Sequence, residues 1–179
     1  RAPGADFFAQ LGADREALRS YPLENGLELD LAARHGVGAD RIFCGAGADE
    51  VLDRLCRAVL EPGREAIVPV PTFEMLERYV ALTGADCARI PWCSGPWPRD
   101  QVLAAIRPAT ALIAIVSPNN PTGLVASVDD VRAVCRAAPS AVVLVDAAYA
   151  EFGGEDLTAA ALPFDNAVVV RTFSKAFGL

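Results

Sequence analysis

Short apolar runs alternate along the chain with stretches whose apolar residues recur every three or four positions. The runs are rich in valine and isoleucine, which is typical of strands buried on both faces of a sheet. They predict six strands: Arg41–Cys44, Ala66–Val70, Cys87–Trp92, Ala111–Ser117, Ala141–Asp146 and Asn166–Thr172. Because strands that alternate with helices form βαβ units, the pattern predicts an α/β fold, a three-layer sandwich around a mostly parallel sheet.

Helical periodicity fills most of the segments between the runs. The segment before Pro62-Gly63 places its aliphatic side chains along one stripe. Ser127 stands three residues before Asp130, the spacing of an N-cap with an acidic partner. Residues 1–26 show no clear period, so we expect an N-terminal arm there and one domain over residues 27–179. The predicted helices are Leu27–His35, Asp49–Leu60, Phe73–Thr83, Arg99–Ile106 and Val131–Ala137.

Composition narrows the class of protein. The chain has 179 residues, of which 53% are hydrophobic and 22% charged, a typical globular profile. The net charge of −7 is spread along the chain, which argues against binding to nucleic acid or to an anionic membrane. Five cysteines without a C-x-x-C pair, and a single histidine, argue against a disulfide framework and a zinc site. We therefore expect a cytoplasmic protein with reduced thiols, no metal, no membrane span and no signal peptide.

Polar residues follow several of the predicted strands, at the edge where α/β sheets bind ligands. The segment from Gly45 to Glu50 opens a helix, whose first backbone N–H groups are suited to hold a phosphate. It does not match the dinucleotide fingerprint, because Glu50 occupies the position of the third glycine. A plain strand-to-helix turn explains the segment equally well.

Three later segments add chemical groups to this edge. A proline-bounded turn presents Asn120, an apolar strand ends at Asp146 with Tyr149 three residues later, and the last strand leads to Lys175, the one lysine beside fifteen arginines. Each has an ordinary structural explanation: a turn, a strand meeting solvent, a solvated lysine. Together they describe a pocket for pyridoxal 5′-phosphate, in which the lysine forms the aldimine, the carboxylate pairs with the pyridinium nitrogen and the other donors hold the ring oxygen.

The order and spacing of these motifs resemble the fold-type I pyridoxal-phosphate aminotransferases, and within them the histidinol-phosphate aminotransferases. The resemblance runs from about Ser20 to Leu179. The motifs that carry it are Tyr21-Pro22, Gly47-Ala-Asp-Glu50, Pro71-Thr-Phe73, Ser117-Pro-Asn-Asn-Pro-Thr-Gly123, Asp146-Ala-Ala-Tyr-Ala-Glu-Phe152 and Arg171-Thr-Phe-Ser-Lys-Ala-Phe-Gly-Leu179.

The resemblance implies a role for each matching residue. Lys175 would be the aldimine lysine, Asp146 the pyridinium partner and Tyr149 a third catalytic group. The other implied cofactor contacts are Asn120 and Tyr149 at the ring oxygen, Phe73 on the ring face, the backbone amides of Ala48 and Asp49 with Thr172 and Ser174 at the phosphate, and Tyr21 from a neighbouring subunit. It also implies a homodimer that transfers an amino group, with glutamate and 2-oxoglutarate as one pair and histidinol phosphate or an aromatic amino acid as the partner.

Two departures from the family pattern bear on this reading. Ala147 stands where the family commonly has Glu, and we expect a packing change there more than a loss of activity. The chain ends just after the aldimine lysine, so we expect residues 27–179 to be the N-terminal part of the large domain, without its remainder or the small domain. Such a piece should expose an unpaired strand edge and associate when expressed alone.

Other functions remain open from the residues. A threonine-phosphate decarboxylase-like lyase would share the cofactor pocket and cleave a different bond. A non-catalytic fragment, a dimerisation module or a nucleotide-binding α/β domain would need no aldimine lysine.

Overall fold

The computed structural model describes residues 6, 7, 9, 12, 26–153 and 155–179, and the chain divides into two compact units. The larger unit is Gly47–Thr172, and the smaller one combines Arg1–Ala46 with Phe173–Leu179. Most of the predicted N-terminal arm, Tyr21 included, lies outside the described residues.

The larger unit is built on a five-stranded parallel sheet with the strand order β2-β1-β3-β4-β5. The strands are β1 (Glu65–Val70), β2 (Asp86–Pro91), β3 (Thr110–Val116), β4 (Val142–Asp146) and β5 (Ala167–Val170). The helices along the described chain are α1 (Gly26–His35), α2 (Gly47–Val59), α3 (Glu74–Leu82), α4 (Arg99–Ala105), α5 (Val128–Ala137) and α6 (Thr158–Ala161), with 3₁₀ turns at Ala39–Arg41 and Ala150–Phe152.

Helices cover both faces of this sheet. Successive side chains of a strand point to opposite faces, so Ile113 of β3 packs into one core and its neighbour Leu112 into the other. The core on the Ile113 side includes residues of α4, α5 and α6, and the core on the Leu112 side includes residues of α2 and α3. The α/β three-layer sandwich with a parallel sheet is therefore confirmed.

Five of the six predicted strands are confirmed, and the first is wrong. Residues Ala39–Arg41 form a 3₁₀ turn, and Ile42 has extended backbone (φ −111°, ψ 132°). An extended segment becomes a strand only when a neighbouring backbone pairs with it. Residues 42–45 form no ladder with any described residue.

The predicted helices are confirmed with shifts of a few residues at their ends. The capping box of α5 is present: the Asp130 N–H donates to Ser127 Oγ at 3.2 Å, and the Ser127 N–H donates to Asp130 Oδ2 at 2.8 Å. The apolar stripe of α2 packs against the sheet through buried Leu52 and Cys56. Helix α6, only four residues long, carries too few positions for a periodic signal and was not predicted.

The smaller unit contains α1, the Ala39–Arg41 turn and the last seven residues. Its described segments include a ring contact between Phe173 and Phe177, whose centroids lie 5.5 Å apart. Burial, with the nearby Glu28 carboxylate, raises the pKa of the Cys44 thiol.

The five cysteines are all unbridged. Burial raises the pKa of the Cys56 and Cys135 thiols to about 11, which leaves both protonated and unreactive at neutral pH. Among the described residues, no helix combines the length and apolarity that crossing a bilayer requires.

Candidate functional site

The carboxyl edge of the sheet presents Asp146, the last residue of β4. Four apolar residues precede it in the strand, and its side chain is buried, with 5% of its surface exposed. Asp146 Oδ1 accepts a hydrogen bond from the Ala148 N–H at 3.0 Å. On either side, its carbonyl accepts from the Ser117 N–H (2.9 Å), and the next residue, Ala147, donates to the Val170 carbonyl (2.8 Å). The backbone at Asp146 is thus held between the ends of β3 and β5, and the Ala148 N–H orients its carboxylate.

Asn120 and Tyr149 line the same cavity, which has a volume of about 490 Å³. They come from different loops, one after β3 and the other after β4, and the parallel order of these strands places both loops at the same edge of the sheet. The ring of Tyr149 lies 6.0 Å from that of Phe152, which also lines the cavity. The remaining lining residues are Pro118, Asn119, Pro121, Gly123, Val125 and Gly153.

The turn that carries Asn120 is fixed by its neighbour Asn119, which the sequence did not single out. Asn119 is buried, and its amide Nδ2 donates to the Pro71 carbonyl at 2.9 Å and to Thr122 Oγ1 at 2.7 Å. Its Oδ1 accepts from Thr72 Oγ1 at 2.8 Å. The sequence contains no local signal for the bonds to Thr72 and Pro71, because these residues lie 47 and 48 positions away.

The other residues of the larger unit that are predicted to contact the cofactor lie at or next to the ends of helices and strands. Phe73 is half-buried and directly precedes α3. Ala48 and Asp49 lie in the first turn of α2, where backbone N–H groups lack helical partners and the helix dipole favours an anion. Thr172 is half-buried and follows β5 by two residues.

Ser174 and Lys175 belong to the smaller unit, and both are exposed. Tyr21 lies outside the described residues. The cofactor contacts assigned to these three residues stay predictions.

Arg171 is a second residue that the sequence did not single out. Its guanidinium donates to Asp156 Oδ2 at 2.8 Å, to Thr158 Oγ1 at 3.2 Å and to Glu151 Oε1 at 2.5 Å. Burial raises the pKa of Asp156, but hydrogen bonds from Thr158 and Arg171 and the charge of Arg171 outweigh it and lower the pKa to about 2. Arg171, which directly follows β5, therefore links the end of that strand to the segment that follows Tyr149.

The fold is that of an α/β protein, and the carboxylate, amide and phenol groups lie beyond the carboxyl ends of its parallel strands, where proteins of this class bind small molecules. Residues 8–179 match the family "Aminotransferase class I and II", and the chain belongs to this family.

Curated relatives agree with this assignment. The chain is 41% identical over 165 residues to the histidinol-phosphate aminotransferase of Methanocella arvoryzae, which covers 89% of this chain and 45% of the relative. It is 40% identical over 172 residues to the enzyme of the same name from Staphylococcus epidermidis, covering 92% of this chain and 49% of the relative. The chain thus spans about half the length of the curated relatives it matches.

Solved structures share the fold. The histidinol-phosphate aminotransferase of Sinorhizobium meliloti, crystallised with pyridoxal-5′-phosphate, superposes with a TM-score of 0.88 at 24% identity, covering 99% of this chain and 50% of that one. An N-succinyldiaminopimelate aminotransferase from Mycobacterium tuberculosis gives a TM-score of 0.80 at 26% identity, covering 94% and 50%. The family resemblance stated from the motifs is confirmed.

Proposed function

We propose that this chain provides the cofactor-binding part of a pyridoxal-phosphate-dependent aminotransferase. The observation that carries the proposal is the carboxyl edge of the sheet, where a buried carboxylate, Asp146, ends β4 while Asn120 and Tyr149 line one cavity. The family match over residues 8–179 supports the reaction class. Relatives about 40% identical are named histidinol-phosphate aminotransferases, which supports histidinol phosphate as a substrate. The family resemblance implies glutamate and 2-oxoglutarate as the other pair.

The residues present fit pyridoxal phosphate by the chemistry of their donors. Asp146 supplies a fixed negative charge for the pyridine nitrogen, and Asn120 and Tyr149 supply an amide and a phenol for the ring oxygen. Phe73 would cover the ring face. The phosphate would take the N–H groups of Ala48 and Asp49, with the hydroxyls of Thr172 and Ser174.

When bound, the cofactor supplies an electron sink for the substrate's Cα. Asp146 would keep a proton on the pyridine nitrogen, because its carboxylate would stabilise the charged ring. The amine of Lys175 would hold the cofactor and would act as the base toward the proton on Cα. Tyr149 orients the ring through its oxygen.

A decarboxylase of the threonine-phosphate type would use the same pocket. The structure of such an enzyme from Porphyromonas gingivalis shares the fold, with a TM-score of 0.81 at 20% identity. The relatives at 36–41% identity described as histidinol-phosphate aminotransferases favour transamination instead.

Lys175→Arg tests the reaction class in the complete protein. Arginine keeps the positive charge but does not form the covalent bond to the cofactor. We expect wild-type protein to show a visible absorbance band with pyridoxal phosphate, to lose that band with glutamate, and to retain the cofactor on the Lys175 peptide after borohydride. The variant should show none of these. Wild-type protein without the band would refute the proposal.

We also propose that the complete protein is a cytoplasmic homodimer and that the arm residue Tyr21 reaches the partner's cofactor phosphate. The X-Pro sequence at Tyr21-Pro22 favours extended backbone, which suits an arm that crosses to a neighbour. Mixing Lys175→Ala with Tyr21→Phe protein tests this arrangement, because each heterodimer would contain one intact site. Recovered activity is expected; heterodimers that form and stay inactive would place Tyr21 elsewhere.

A further inference from the structure

The sheet opens at its carboxyl edge between β1 and β3. Among the described residues, the ladder between these strands ends at the pair Ile67–Ile113. By contrast, β1 stays paired with β2 as far as Val70, and β3 stays paired with β4 as far as Val116. Because β2 and β3 lie on opposite sides of β1, this crevice is the switch point of the topology, the place where open α/β sheets bind ligands.

The side chain of Asn119 spans this crevice. From the turn after β3 it donates to the Pro71 carbonyl and accepts from the Thr72 hydroxyl, both in the segment after β1. Asn119 is 3% exposed and Thr72 is 8% exposed. Buried amide groups with both donor and acceptor satisfied are rigid, because breaking either bond leaves a buried polar group without a partner.

Each end of this bridge adjoins a predicted cofactor contact. Thr72 directly precedes Phe73, and Asn119 directly precedes Asn120. We propose that Asn119 is a positioning residue that fixes Phe73 and Asn120 relative to each other across the crevice. The consequence for the cofactor rests on the function proposed above, whereas the bridge itself is a property of the cofactor-free protein.

The chain offers a matched control at the opposite edge of the same two strands. Thr110 of β3 is 3% exposed and donates to Glu65 Oε1 of β1 at 3.3 Å. Thr110→Val and Thr72→Val each remove one buried hydroxyl that links β1 to β3, and valine conserves the shape of the side chain. Thr72→Ser keeps the hydroxyl and should behave like wild type.

Two measurements on the complete protein separate positioning from stability. The first is the dissociation constant of pyridoxal phosphate, with the visible circular dichroism of the fully loaded protein as a report on ring orientation. We expect Thr72→Val and Asn119→Ala to weaken binding about tenfold and to change the dichroism. Thr110→Val should lower the melting temperature and change neither quantity.

The second measurement is amide hydrogen exchange in the cofactor-free protein. The amides to follow are those of Leu76, which donates to the Phe73 carbonyl, and Gly123, which donates to the Asn119 carbonyl. Thr72→Val should speed exchange at both together, and Thr110→Val should not. Equal amide exchange rates in Thr72→Val and Thr110→Val would show that the Thr72–Asn119 hydrogen bond does not hold the two segments together. Unchanged cofactor binding and dichroism, with faster exchange, would overturn the positioning role. A wild-type protein that binds no pyridoxal phosphate would refute the proposed function. Hydrogen exchange in the cofactor-free protein would still show whether Asn119 holds the two segments together.

Discussion

A buried carboxylate is costly for a protein, and Asp146 is one. The hydrogen bond from the Ala148 N–H offsets part of the desolvation, and a cationic ligand would offset considerably more. Under the proposed function, that ligand is the protonated pyridine ring. The charge of Asp146, rather than its shape, should therefore matter for turnover.

Asp146→Asn tests this role, because asparagine keeps the shape and removes the charge. We expect turnover to fall about 10²-fold or more, while cofactor affinity changes by no more than about tenfold. The measurements are kcat and the dissociation constant of pyridoxal phosphate. Asp165→Asn, at an exposed carboxylate, is the control. Wild-type kcat in Asp146→Asn would contradict the role.

The sequence singled out some residues of the candidate site and missed others, for a physical reason. Asp146 was predictable because a charge that ends an apolar run stands out in the local pattern. Asn119 and Arg171 were not. Two partners of Asn119, Thr72 and Pro71, lie 47 and 48 positions away, and those of Arg171 lie 13–20 positions away, so no local pattern encodes these contacts. Asn119 and Asn120 also share one residue type, and only the fold distinguishes the buried amide from its half-buried neighbour.

At the scale of single elements, α5 depends on its N-cap. Ser127→Ala removes the acceptor for the Asp130 N–H and should cost about 1 kcal/mol of stability. Ser127→Thr keeps the hydroxyl, which accepts from the Asp130 N–H and donates to Asp130 Oδ2, and should cost less. Urea unfolding of the complete protein measures both changes, and equal losses would show that the cap contributes nothing specific.

The loop that follows Tyr149 should loosen in acid. The pKa of Asp156 is lowered to about 2 by Thr158 and Arg171, below its value in an unfolded chain, so its stabilising contribution is present above about pH 4 and disappears as the pH falls towards 2. We expect Asp156→Asn to lower the urea midpoint at pH 6 and to have a diminishing effect at pH 3. A pH-independent difference would show that the carboxylate charge is not involved.

Element prediction succeeded where burial alone decides the structure. β3 and β4 are continuous apolar runs with helices on both faces, so their sequences identify them without knowledge of their neighbours. The strand predicted for Arg41–Cys44 was wrong, because strand formation also requires a pairing partner, which composition does not reveal.

At the scale of the whole molecule, the two outer strands of the sheet differ in character. β2 carries exposed charges at Asp86 and Arg89, which discourage edge pairing, whereas β5 consists of Ala167 and three valines. Within the described part of the chain, β5 pairs with β4 alone. An uncharged strand edge of this kind is suited to pair with a second copy.

We therefore expect this 179-residue chain, expressed alone, to self-associate through β5. Sedimentation velocity at rising concentration should show oligomers, and hydrogen exchange at β5 amides should slow with concentration while β2 amides serve as the internal control. A monodisperse monomer that melts cooperatively at all concentrations would contradict this expectation.

The strand order also sets a direction for folding during synthesis. After β1 and β2 pair, β3 joins the free side of β1, β4 joins β3, and β5 joins β4, so each new strand docks on the strand most recently added to that side. Among these five described strands, none has to insert between two that are already paired. A chain emerging from the ribosome can therefore extend its sheet one βαβ unit at a time, and the long waits for distant partners that slow many β-rich proteins are avoided.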